Sequence, residues 1–249
     1  MDLQIKLKNR EKVFGTTVGS VRWSGLLQMM KNDILDFIVF DFEHGCLTVE
    51  SAEELLRMCN VLEIPAIARV QEISYAYMSK IFDMGADGIL VPRVETVEQV
   101  EMVVSSVRFP PKGKKGCGGF SLLHGGLKST EEFNARKIII LQIESPLGIS
   151  NLESMLDIDE ADGVIIGPND MSIAMGIPWQ FNHPMLLEGI DTVLRICQKH
   201  DVSCGIYCDN QEEARNWRGK GMNILWTSSE LGFFKKAYDE MCTFMKNLG

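Results

Sequence analysis

The sequence predicts an α/β protein, a (β/α)8 barrel of the TIM type, on three observations. Short apolar runs alternate with helical patterns throughout the 249 residues, and eight of these runs are strand candidates. Residues 86–92 and 161–168 share one pattern: the end of a helix, a turn, a buried strand and a proline. No GxGxxG or GxxxxGKS/T motif follows the first strand, which disfavours the alternative fold, a doubly wound sheet.

The predicted strands are short apolar runs bounded by polar or turn-forming residues, as expected for strands that are buried on both faces of a parallel sheet. Thr48 with Ser51, and Thr96 with Gln99, have the spacing of helix N-terminal caps. The predicted strands are 12–18, 37–42, 64–70, 88–92, 137–143, 163–167, 203–208 and 222–227, and the predicted helices are 24–31, 48–60, 74–84, 96–107, 152–156, 184–200 and 229–248.

One stretch, residues 109–130, interrupts this alternation and is rich in glycine and proline. A loop of this length is uncommon inside a compact domain and is often functional. A chain of 249 residues with 45% hydrophobic content can bury one large core, and its length suits one domain of barrel size or two small ones. We therefore expect residues 1–249 to form a single barrel domain, with 109–130 as a long loop and the active site at the C-terminal ends of the strands.

Composition excludes several classes of partner. The net charge is −9 and the basic residues are scattered, which argues against nucleic acid or an anionic membrane surface as the main partner. No apolar run approaches the ~18 residues of a membrane span, and the polar N-terminus shows no secretory signal. The 7 cysteines lie singly with no CxxC pair, so we expect buried, reduced thiols in a cytoplasmic protein.

The segment 37–45 is the centre of the predicted site. Its apolar residues, Phe37 to Phe40, form a buried strand, and Asp41, Glu43 and His44 follow at the strand's C-terminal end, before Gly45. Ligands bind at this end of the strands in α/β sheets and barrels. In the alternative interpretation, the two acids cap the next helix and His44 is a structural histidine. Two later strands that end in the same way favour a site.

Other predicted strands also end in polar residues. Arg69 ends the third strand, Gln142 and Glu144 end the fifth, and Asn169 and Asp170 follow the sixth. Carboxylates from separate strands suit Mg²⁺ or Mn²⁺, although two acids can also face solvent independently. Residues 167–169 form a predicted tight turn whose backbone amides are suited to an anion, and this favours a site.

Two of these residues have a specific chemistry. The guanidinium of Arg69 suits a carboxylate or an enolate oxygen, unless it pairs with a neighbouring acid such as Glu43. His44 is the natural proton carrier, because histidine is the side chain whose ordinary pKa lies near neutrality, and Asp83 is a candidate to orient it. No predicted strand ends in lysine, so metal chemistry is favoured over an imine mechanism.

Taken together, these residues resemble the HpcH/HpaI family of class II, metal-dependent 2-oxo acid aldolases. The motifs that carry the resemblance are 41–45, 68–70, 83–86, 90–92, 108–111, 142–144 and 167–172, and their order and spacing match over most of the chain. The resemblance implies a (β/α)8 barrel of the phosphoenolpyruvate/pyruvate-binding type. It also implies a homo-oligomer, often a hexamer, in which neighbouring subunits exchange the last helix as domain-swapped dimers.

The resemblance also implies roles for individual residues. It implies a divalent metal, Mg²⁺ or Mn²⁺ with Co²⁺ also possible, on Glu144 and Asp170. It implies that Arg69 steadies the enolate of a pyruvate-like substrate and that His44, supported by Asp83, moves protons. The remaining implied site residues are Gln142, Gly167, Pro168 and Asn169, which bind the substrate, and Asp41 and Glu43, which support the residues that contact it.

The chain departs from the family pattern where the second substrate binds. Asn169 stands where the family usually has a small residue, Thr16 and Thr17 lie where a tryptophan is common, and Lys115 precedes Gly116 in place of arginine. The glycine-rich stretch 117–126, which includes His124, is also unusual. These positions leave the identity of the aldehyde open.

Three functions follow from this reading. The first is an aldolase that cleaves or forms a C–C bond of a 4-hydroxy-2-oxo acid to give pyruvate and an aldehyde, so that its partners are a small 2-oxo acid and an aldehyde. The second is a siderophore-type citrate synthase that joins oxaloacetate to acetyl-CoA on the same barrel. The third is a non-catalytic metabolite-binding barrel.

Overall fold

Eight parallel strands close into a barrel in the order β1 to β8, and β8 pairs with β1. The structure is a computed structural model that describes residues 3–118 and 126–248. Each strand pairs in parallel with the next one along the chain, as the βα alternation in the sequence predicts. The predicted fold class, a TIM-type (β/α)8 barrel, is confirmed.

The elements have the following bounds. The strands are β1 (Val13–Val18), β2 (Phe37–Asp41), β3 (Ala66–Arg69), β4 (Gly88–Val91), β5 (Ile138–Ile143), β6 (Gly163–Ile166), β7 (Ser203–Cys208) and β8 (Ile224–Ser229). The helices are α1 (Leu3–Lys8), α2 (Gly25–Met30), α3 (Val49–Leu62), α4 (Tyr75–Asp83), α5 (Val97–Val107), α6 (Thr130–Arg136), α7 (Pro146–Leu156), α8 (Pro168–Ala174), α9 (Pro184–Lys199), α10 (Gln211–Gly219) and α11 (Glu230–Lys246).

Successive side chains of each strand point alternately into the barrel and toward the helices around it. On β2, Phe37 and Val39 belong to an inner cluster that also contains Ile67 of β3. The intervening Ile38 and Phe40 belong to the outer cluster, which packs under the helices. Two cores therefore share one sheet, and burying each large apolar side chain contributes roughly 1.5–3 kcal/mol.

The first helix closes the N-terminal end of the barrel. Leu3 and Leu7 of α1 are buried within the inner cluster. The hydroxyl of Ser203, at the start of β7, donates a hydrogen bond to the carbonyl of Leu7 at 2.6 Å. This end is therefore filled by apolar side chains, and the open end of the barrel is the C-terminal one.

Glycines stand at inward positions where large neighbours fill the space. A Cβ on Gly15 would lie 2.2 Å from the ring of Phe37, and one on Gly205 would lie 2.1 Å from the carbonyl oxygen of Ile224. No real Cβ tolerates such distances, so the barrel interior needs glycine there.

Several predicted elements need correction. The short helix predicted at 152–156 begins at Pro146 instead, where the Ser145 hydroxyl accepts a hydrogen bond from the amide of Gly148 at 3.1 Å. The predicted 109–130 loop ends at Ser129, which caps α6, and residues 119–125 of that stretch, including His124, lie outside the described residues. Helices α1, α6, α8 and α10 were not predicted at all.

The polar sequence of α10 explains why its pattern was missed. Trp217 is its only buried residue, so it has no apolar stripe with helical spacing. The helix instead begins with a cap, because the side chain of Asn210 accepts from the amides of Glu212 and Glu213, each at 3.0 Å.

The two predicted caps are present. Thr48 with Ser51, and Thr96 with Gln99, each form a capping box at the start of α3 and α5. All the cysteines are free, but the expectation of buried thiols is wrong for three of them, because Cys46, Cys117 and Cys242 are exposed. Among the described residues, no helix is long and apolar enough to cross a membrane.

Candidate active site

Polar residues continue the inward-facing rows where the strands reach the C-terminal end of the barrel. Asp41 follows Phe37 and Val39 at two-residue spacing on β2, and Arg69 follows Ile67 on β3. The same spacing sets Gln142 and Glu144 after Ile140 along β5, Gly167 after Ile165 along β6, and Trp226 after Ile224 on β8. The alternation that builds the inner core thus also directs these side chains into the opening at the C-terminal end of the barrel, which we call the mouth.

Arg69 is held by Asp41 from the neighbouring strand. The register of β2 and β3 aligns the two residues, and Arg69 Nε and Nη2 donate to the two Asp41 carboxylate oxygens at 2.9 and 2.6 Å. Burial acts to raise the pKa of Asp41, but the hydrogen bond and charge of Arg69 outweigh it and lower that pKa. Burial likewise acts to lower the pKa of Arg69, but Asp41 and the nearby carboxylates raise it. Both groups are therefore charged.

The other face of Arg69 lies against an indole. The guanidinium carbon is 5.6 Å from the ring centroid of Trp226, within the range of a cation–π contact. Trp226 Nε1 donates to Thr17 Oγ1 at 2.9 Å, and Tyr207 meets the same indole edge-on at 5.2 Å between ring centroids. An indole thus contacts Thr17, although the first strand carries no tryptophan.

The carboxylate of Asp41 also shapes the turn that carries Glu43 and His44. Its Oδ1 accepts from the amides of these two residues at 3.0 and 3.2 Å. His44 Nε2 lies 3.7 Å from Glu43 Oε2, and the His44 side chain is 56% exposed. Burial raises the pKa of Glu43 despite the opposing charges of Arg69, His44 and Arg93. A half-exposed imidazole beside a partly buried carboxylate is suited to proton transfer.

Glu144 is a buried carboxylate at the floor of the mouth. Gln142 Nε2 donates a hydrogen bond to its Oε1. Burial, followed by the negative charges of Asp170 and Glu43, raises the pKa of Glu144 to about 8. A Cβ on Gly167 would lie 2.3 Å from Glu144 Oε1, so the carboxylate occupies the space that this glycine leaves.

A second arginine, Arg93, stands at the rim after β4. Its Nη2 lies 3.4 Å from Asp170 Oδ1 and its Nε lies 3.7 Å from Glu43 Oε1. Its side chain is 64% exposed, whereas that of Arg69 is only 13% exposed. The mouth therefore has a deep arginine and a rim arginine, with acids between them.

Glu144 and Asp170 are the two carboxylates of the mouth that could hold a divalent cation. Burial raises the pKa of Glu144, and the negative charge of Asp170 adds to that rise, so a cation held by both carboxylates would offset their repulsion. Gln142 Oε1 is buried without a hydrogen-bond partner among the described residues, and oxygen ligands suit Mg²⁺ and Mn²⁺. Residues 3–118 and 126–248 contain no cluster of three or more His, Cys, Asp or Glu side chains suited to a metal. Water and substrate would therefore supply the other ligands.

Asp83 is engaged by a buried lysine. Lys115 Nζ donates to Asp83 Oδ1 at 2.7 Å and to Ser79 Oγ at 3.0 Å, and it lies 5.4 Å from the centroid of the Phe109 ring. The carboxylate that the structure sets beside His44 is that of Glu43. The role of Asp83 as the support of His44 stays a prediction.

The segment after β6 is a helix start rather than the predicted tight turn. Gly167 is the N-cap of α8, Pro168 is its first residue, and Asp170 lies in its first turn. Proline is common at this position, because the amide of the first helical residue has no hydrogen-bond partner within the helix. The predicted binding roles of Gly167, Pro168 and Asn169 stay predictions.

A protein-family model covers most of this arrangement. The model described as HpcH/HpaI aldolase/citrate lyase matches residues 26–237, which include every strand from β2 to β8. This chain belongs to the HpcH/HpaI family. The resemblance carried by the sequence motifs is therefore confirmed.

Curated relatives of this HpcH/HpaI chain include two aldolases. A 5-keto-4-deoxy-D-glucarate aldolase from Klebsiella pneumoniae is 28% identical over 235 residues, which cover 90% of this chain and 91% of the relative. A 2-keto-3-deoxy-L-rhamnonate aldolase from Escherichia coli K12 is 27% identical over 216 residues, which cover 85% of this chain and 81% of the relative.

Solved structures share the barrel. An HpcH/HpaI aldolase from Desulfitobacterium hafniense superposes with a TM-score of 0.93 at 24% identity, covering 100% of this chain and 98% of that one. The citrate synthase SbnG has a TM-score of 0.87 at 23% identity, covering 99% and 98%. The protein CitE from Mycobacterium tuberculosis, solved with magnesium and acetoacetate, has a TM-score of 0.60 at 12% identity, covering 88% and 86%.

The structure brings most of the predicted side chains together in one mouth and adds three contacts that the sequence did not predict. The structure joins Asp41, Glu43, His44 and Arg69 by contacts, and Gln142, Glu144 and Gly167 lie together. The missed residues are Arg93, Lys115 and Trp226. Arg93 carried a usable signal, because it follows the proline that stops β4 at the same end of the barrel. Trp226 lies within its strand and carried no such signal, and Lys115 stood out only as a departure from the family pattern, not as a partner of Asp83.

Proposed function

We propose that this HpcH/HpaI chain is a metal-dependent aldolase that cleaves a 4-hydroxy-2-oxo acid into pyruvate and an aldehyde, or forms the acid in reverse. The observation that carries the proposal is the pairing of opposite charges in one mouth. Arg69 is held in a fork by the two carboxylate oxygens of Asp41 and lies 3.5 Å from Glu43, at the end of the barrel where Glu144 is buried.

Glu144 and Asp170 would hold Mg²⁺, Mn²⁺ or Co²⁺, and the cation would polarise the keto carbonyl of the substrate. Arg69 would support the same polarisation. Asp41 takes the Nε hydrogen and one of the two Nη2 hydrogens, so the second Nη2 hydrogen and Nη1, which lies 3.5 Å from Glu43, remain as donors for the developing enolate oxygen. A donor that is fixed before the reaction needs no reorganisation when that charge appears.

His44 is the proposed proton carrier. Cleavage requires that a base remove the proton from the C4 hydroxyl, so that the C3–C4 bond breaks and the aldehyde carbonyl forms. The electron pair of that bond passes to the enolate, and C3 then takes up a proton to give pyruvate. The His44 imidazole is exposed to the mouth's solvent and neighbours Glu43, which suits both transfers.

The names of the two relatives support this substrate class. Both aldolases act on keto acids with a deoxy carbon, as 5-keto-4-deoxy-D-glucarate and 2-keto-3-deoxy-L-rhamnonate. A deoxy carbon beside the keto group becomes the methyl group of pyruvate when the bond to the next carbon breaks. We therefore propose a sugar-acid derivative of this kind as the physiological substrate.

The test is release of pyruvate from a series of 4-hydroxy-2-oxo acids, followed with a coupled lactate dehydrogenase assay. We expect turnover with Mg²⁺ or Mn²⁺, loss of turnover in EDTA and recovery on adding metal. The variant His44→Ala should lower kcat by at least about 100-fold, since general acid–base catalysis contributes 10²–10⁴-fold. The control His200→Gln, at the opposite end of the barrel, should keep wild-type turnover.

Other outcomes separate the alternatives. Full activity in EDTA would reject the metal assignment. Thiol release from acetyl-CoA with oxaloacetate, without pyruvate from any 4-hydroxy-2-oxo acid, would identify the citrate synthase reaction. Binding of pyruvate or oxalate without any turnover would identify a metabolite-binding barrel.

A further inference from the structure

The rim arginine Arg93 has no part in the chemistry above. It is held in an unusual backbone conformation, with φ of 55°, which an L residue other than glycine rarely adopts. The turn is held from both sides. The Val94 amide donates to the Gln142 carbonyl at 3.3 Å, and the Asn151 side chain donates to the Glu95 carbonyl at 2.8 Å. Six other non-glycine residues among those described share such a φ, so the backbone alone does not mark a functional position, and the inference rests on where this turn places the side chain.

This turn places the positively charged guanidinium of Arg93 over the mouth. The guanidinium of Arg93 lies 3.4 Å from Asp170 and 3.7 Å from Glu43, and neither distance is that of a short, forked pair. By contrast, Asp41 holds Arg69 in a fork at 2.9 and 2.6 Å. Arg93 is thus a loosely held, largely exposed positive charge above two acids.

Binding of the proposed cation changes the charge around Arg93. Asp170 would then share its charge with the metal, and only Glu43 would remain near the guanidinium. The donors of Arg93 would be available to an anion that arrives from solvent.

The depth of the two arginines indicates which end of the substrate meets Arg93. The 2-oxo acid end belongs with Glu144 and the buried Arg69, at the floor of the mouth. The atoms beyond the C3–C4 bond, which leave as the aldehyde, must then extend outward toward the rim. Arg93 stands at that rim.

On these grounds, which rest on the proposed function, we infer that Arg93 is a specificity-determining residue that selects aldehydes with a terminal carboxylate. The fork of a guanidinium matches a carboxylate with two parallel hydrogen bonds. With the metal bound, the negative charge of Asp170 would be shared with the metal instead of pairing with Arg93. The carboxylate of an acidic aldehyde can replace that charge, whereas a neutral aldehyde of the same length cannot. Arg93 therefore favours the acidic aldehyde over the neutral one.

The test compares aldol additions of pyruvate to matched aldehydes of two to five carbons that end in either a carboxylate or a hydroxymethyl group. The ratio of kcat/KM for the acidic over the neutral aldehyde is measured in the wild type, Arg93→Gln, Arg93→Lys and Arg22→Gln. Glutamine carries the same backbone cost as arginine at this φ. Arg22 is a matched control, because it is an exposed arginine at the same end of the barrel that donates to the Cys46 carbonyl at 2.7 Å.

We expect the wild type to favour the acidic aldehyde at its best length, and Arg93→Gln to lower the ratio about tenfold, as expected for one half-exposed charged contact. Arg93→Lys should keep part of the preference, and Arg22→Gln should keep all of it. A wild type without preference, or a ratio that Arg93→Gln leaves unchanged, would overturn the inference while leaving the aldolase itself intact.

A binding readout keeps the two proposals separate. With Mg²⁺ and oxalate present, ligand-observed NMR compares the binding of 3-hydroxypropanoate and propane-1,3-diol to the wild type and to Arg93→Gln. Selective loss of 3-hydroxypropanoate binding in the variant supports the role of Arg93 even where no aldehyde reacts. Equal binding by both proteins contradicts it. Failure of the proposed function is instead absence of turnover with every aldehyde in the series.

Discussion

One carboxylate, that of Asp41, holds both Arg69 and the turn that carries His44. Its Oδ1 accepts from Arg69 Nε at 2.9 Å and from the amides of Glu43 and His44 at 3.0 and 3.2 Å, while its Oδ2 accepts from Arg69 Nη2 at 2.6 Å. The side chain of Asp41 is only 9% exposed. The arginine and the histidine of the candidate site therefore share one anchor.

The variant Asp41→Asn should damage both activity and stability. An amide presents one acceptor oxygen to the arginine instead of two and leaves a buried positive charge poorly matched. Breaking a buried pair costs about 3–5 kcal/mol of unfolding free energy. We expect that loss in urea denaturation and a fall in kcat/KM of at least about 100-fold for pyruvate release. The control Asp239→Asn breaks an exposed pair with Lys235 and should cost under about 1 kcal/mol. A similar cost for both variants would contradict the anchor.

The same pair predicts how stability depends on pH. Burial acts to raise the pKa of Asp41, but Arg69 and the two backbone donors lower it below the ordinary value of 3.8. The unfolded chain therefore takes up the proton first as the pH falls. The stabilisation is present above about pH 4 and is lost as the pH falls toward the lowered pKa. Urea curves should show a constant difference between the wild type and Asp41→Asn above about pH 5, and a shrinking one below pH 4. A difference that grows in acid would contradict this sign.

Gly167 gives a test of the cation site. An added Cβ would lie 2.3 Å from Glu144 Oε1 and 2.9 Å from Gln142 Nε2, so Gly167→Ala must displace the carboxylate proposed to bind metal. We expect calorimetry to show at least about tenfold weaker Mg²⁺ binding, since loss of 1.4 kcal/mol is tenfold, with the fold retained by circular dichroism. Gly219→Ala is the control, because a Cβ there meets no atom within 4 Å. Unchanged Mg²⁺ affinity in Gly167→Ala would argue against Glu144 as a ligand.

Trp226 gives a test of the support beneath Arg69. Trp226→Phe keeps an aromatic face but removes the hydrogen bond to Thr17 and part of the indole surface under the guanidinium. Thr17→Val removes the hydrogen bond alone. Because cation–π contacts contribute about 0.5–2 kcal/mol, we expect kcat/KM for pyruvate release to fall roughly three- to thirtyfold in Trp226→Phe, and less in Thr17→Val. Equal losses in the two variants would assign the effect to the hydrogen bond instead of the ring.

The parts of the site that lie on strands were predictable, because strand geometry repeats every two residues. An apolar run that ends in Asp41, Arg69 or Glu144 fixes both the end of the barrel and the inward direction of the side chain. Contacts between side chains on strands that are far apart in the sequence were not predictable in this way. Trp226 contacts Thr17 and Arg69 only because eight strands close, and no local pattern records that closure.

The missed helices have local causes. The Gly167–Pro168 pair was interpreted as a turn, yet proline is also favoured as the first residue of a helix, and α8 begins there. Helix α10 has no apolar stripe, so its cap at Asn210 was the only usable signal. The rim residue Arg93 follows a predicted strand, but its left-handed backbone, which aims it over the mouth, has no signature in the sequence.

The exposed apolar side chains of the last helix lead us to predict that the chain self-associates. Glu230 is the only buried residue of α11, and its Oε1 accepts from the amides of Gly19, Ser20 and Val21, so the barrel holds mainly the helix start. Beyond that anchor the helix and the residues that follow it expose a row of large apolar side chains: Leu231, Phe233, Phe234, Tyr238, Met241, Phe244, Met245 and Leu248. Apolar patches of this kind mark protein interfaces, and the predicted homo-oligomer with an exchanged last helix would cover them.

We expect sedimentation velocity to show an oligomer for the wild type at micromolar concentration, and Phe234→Ser combined with Phe244→Ser to shift it toward monomer. These two side chains are 68% and 57% exposed in the single chain, so their replacement removes apolar surface without opening the barrel core. Lys236→Ser, on the same helix, is the control and should leave the assembly intact. A wild type that sediments as a monomer would contradict the prediction, because α11 would then keep its apolar side chains in water. An oligomer that survives the double substitution would place the interface on another face of the barrel.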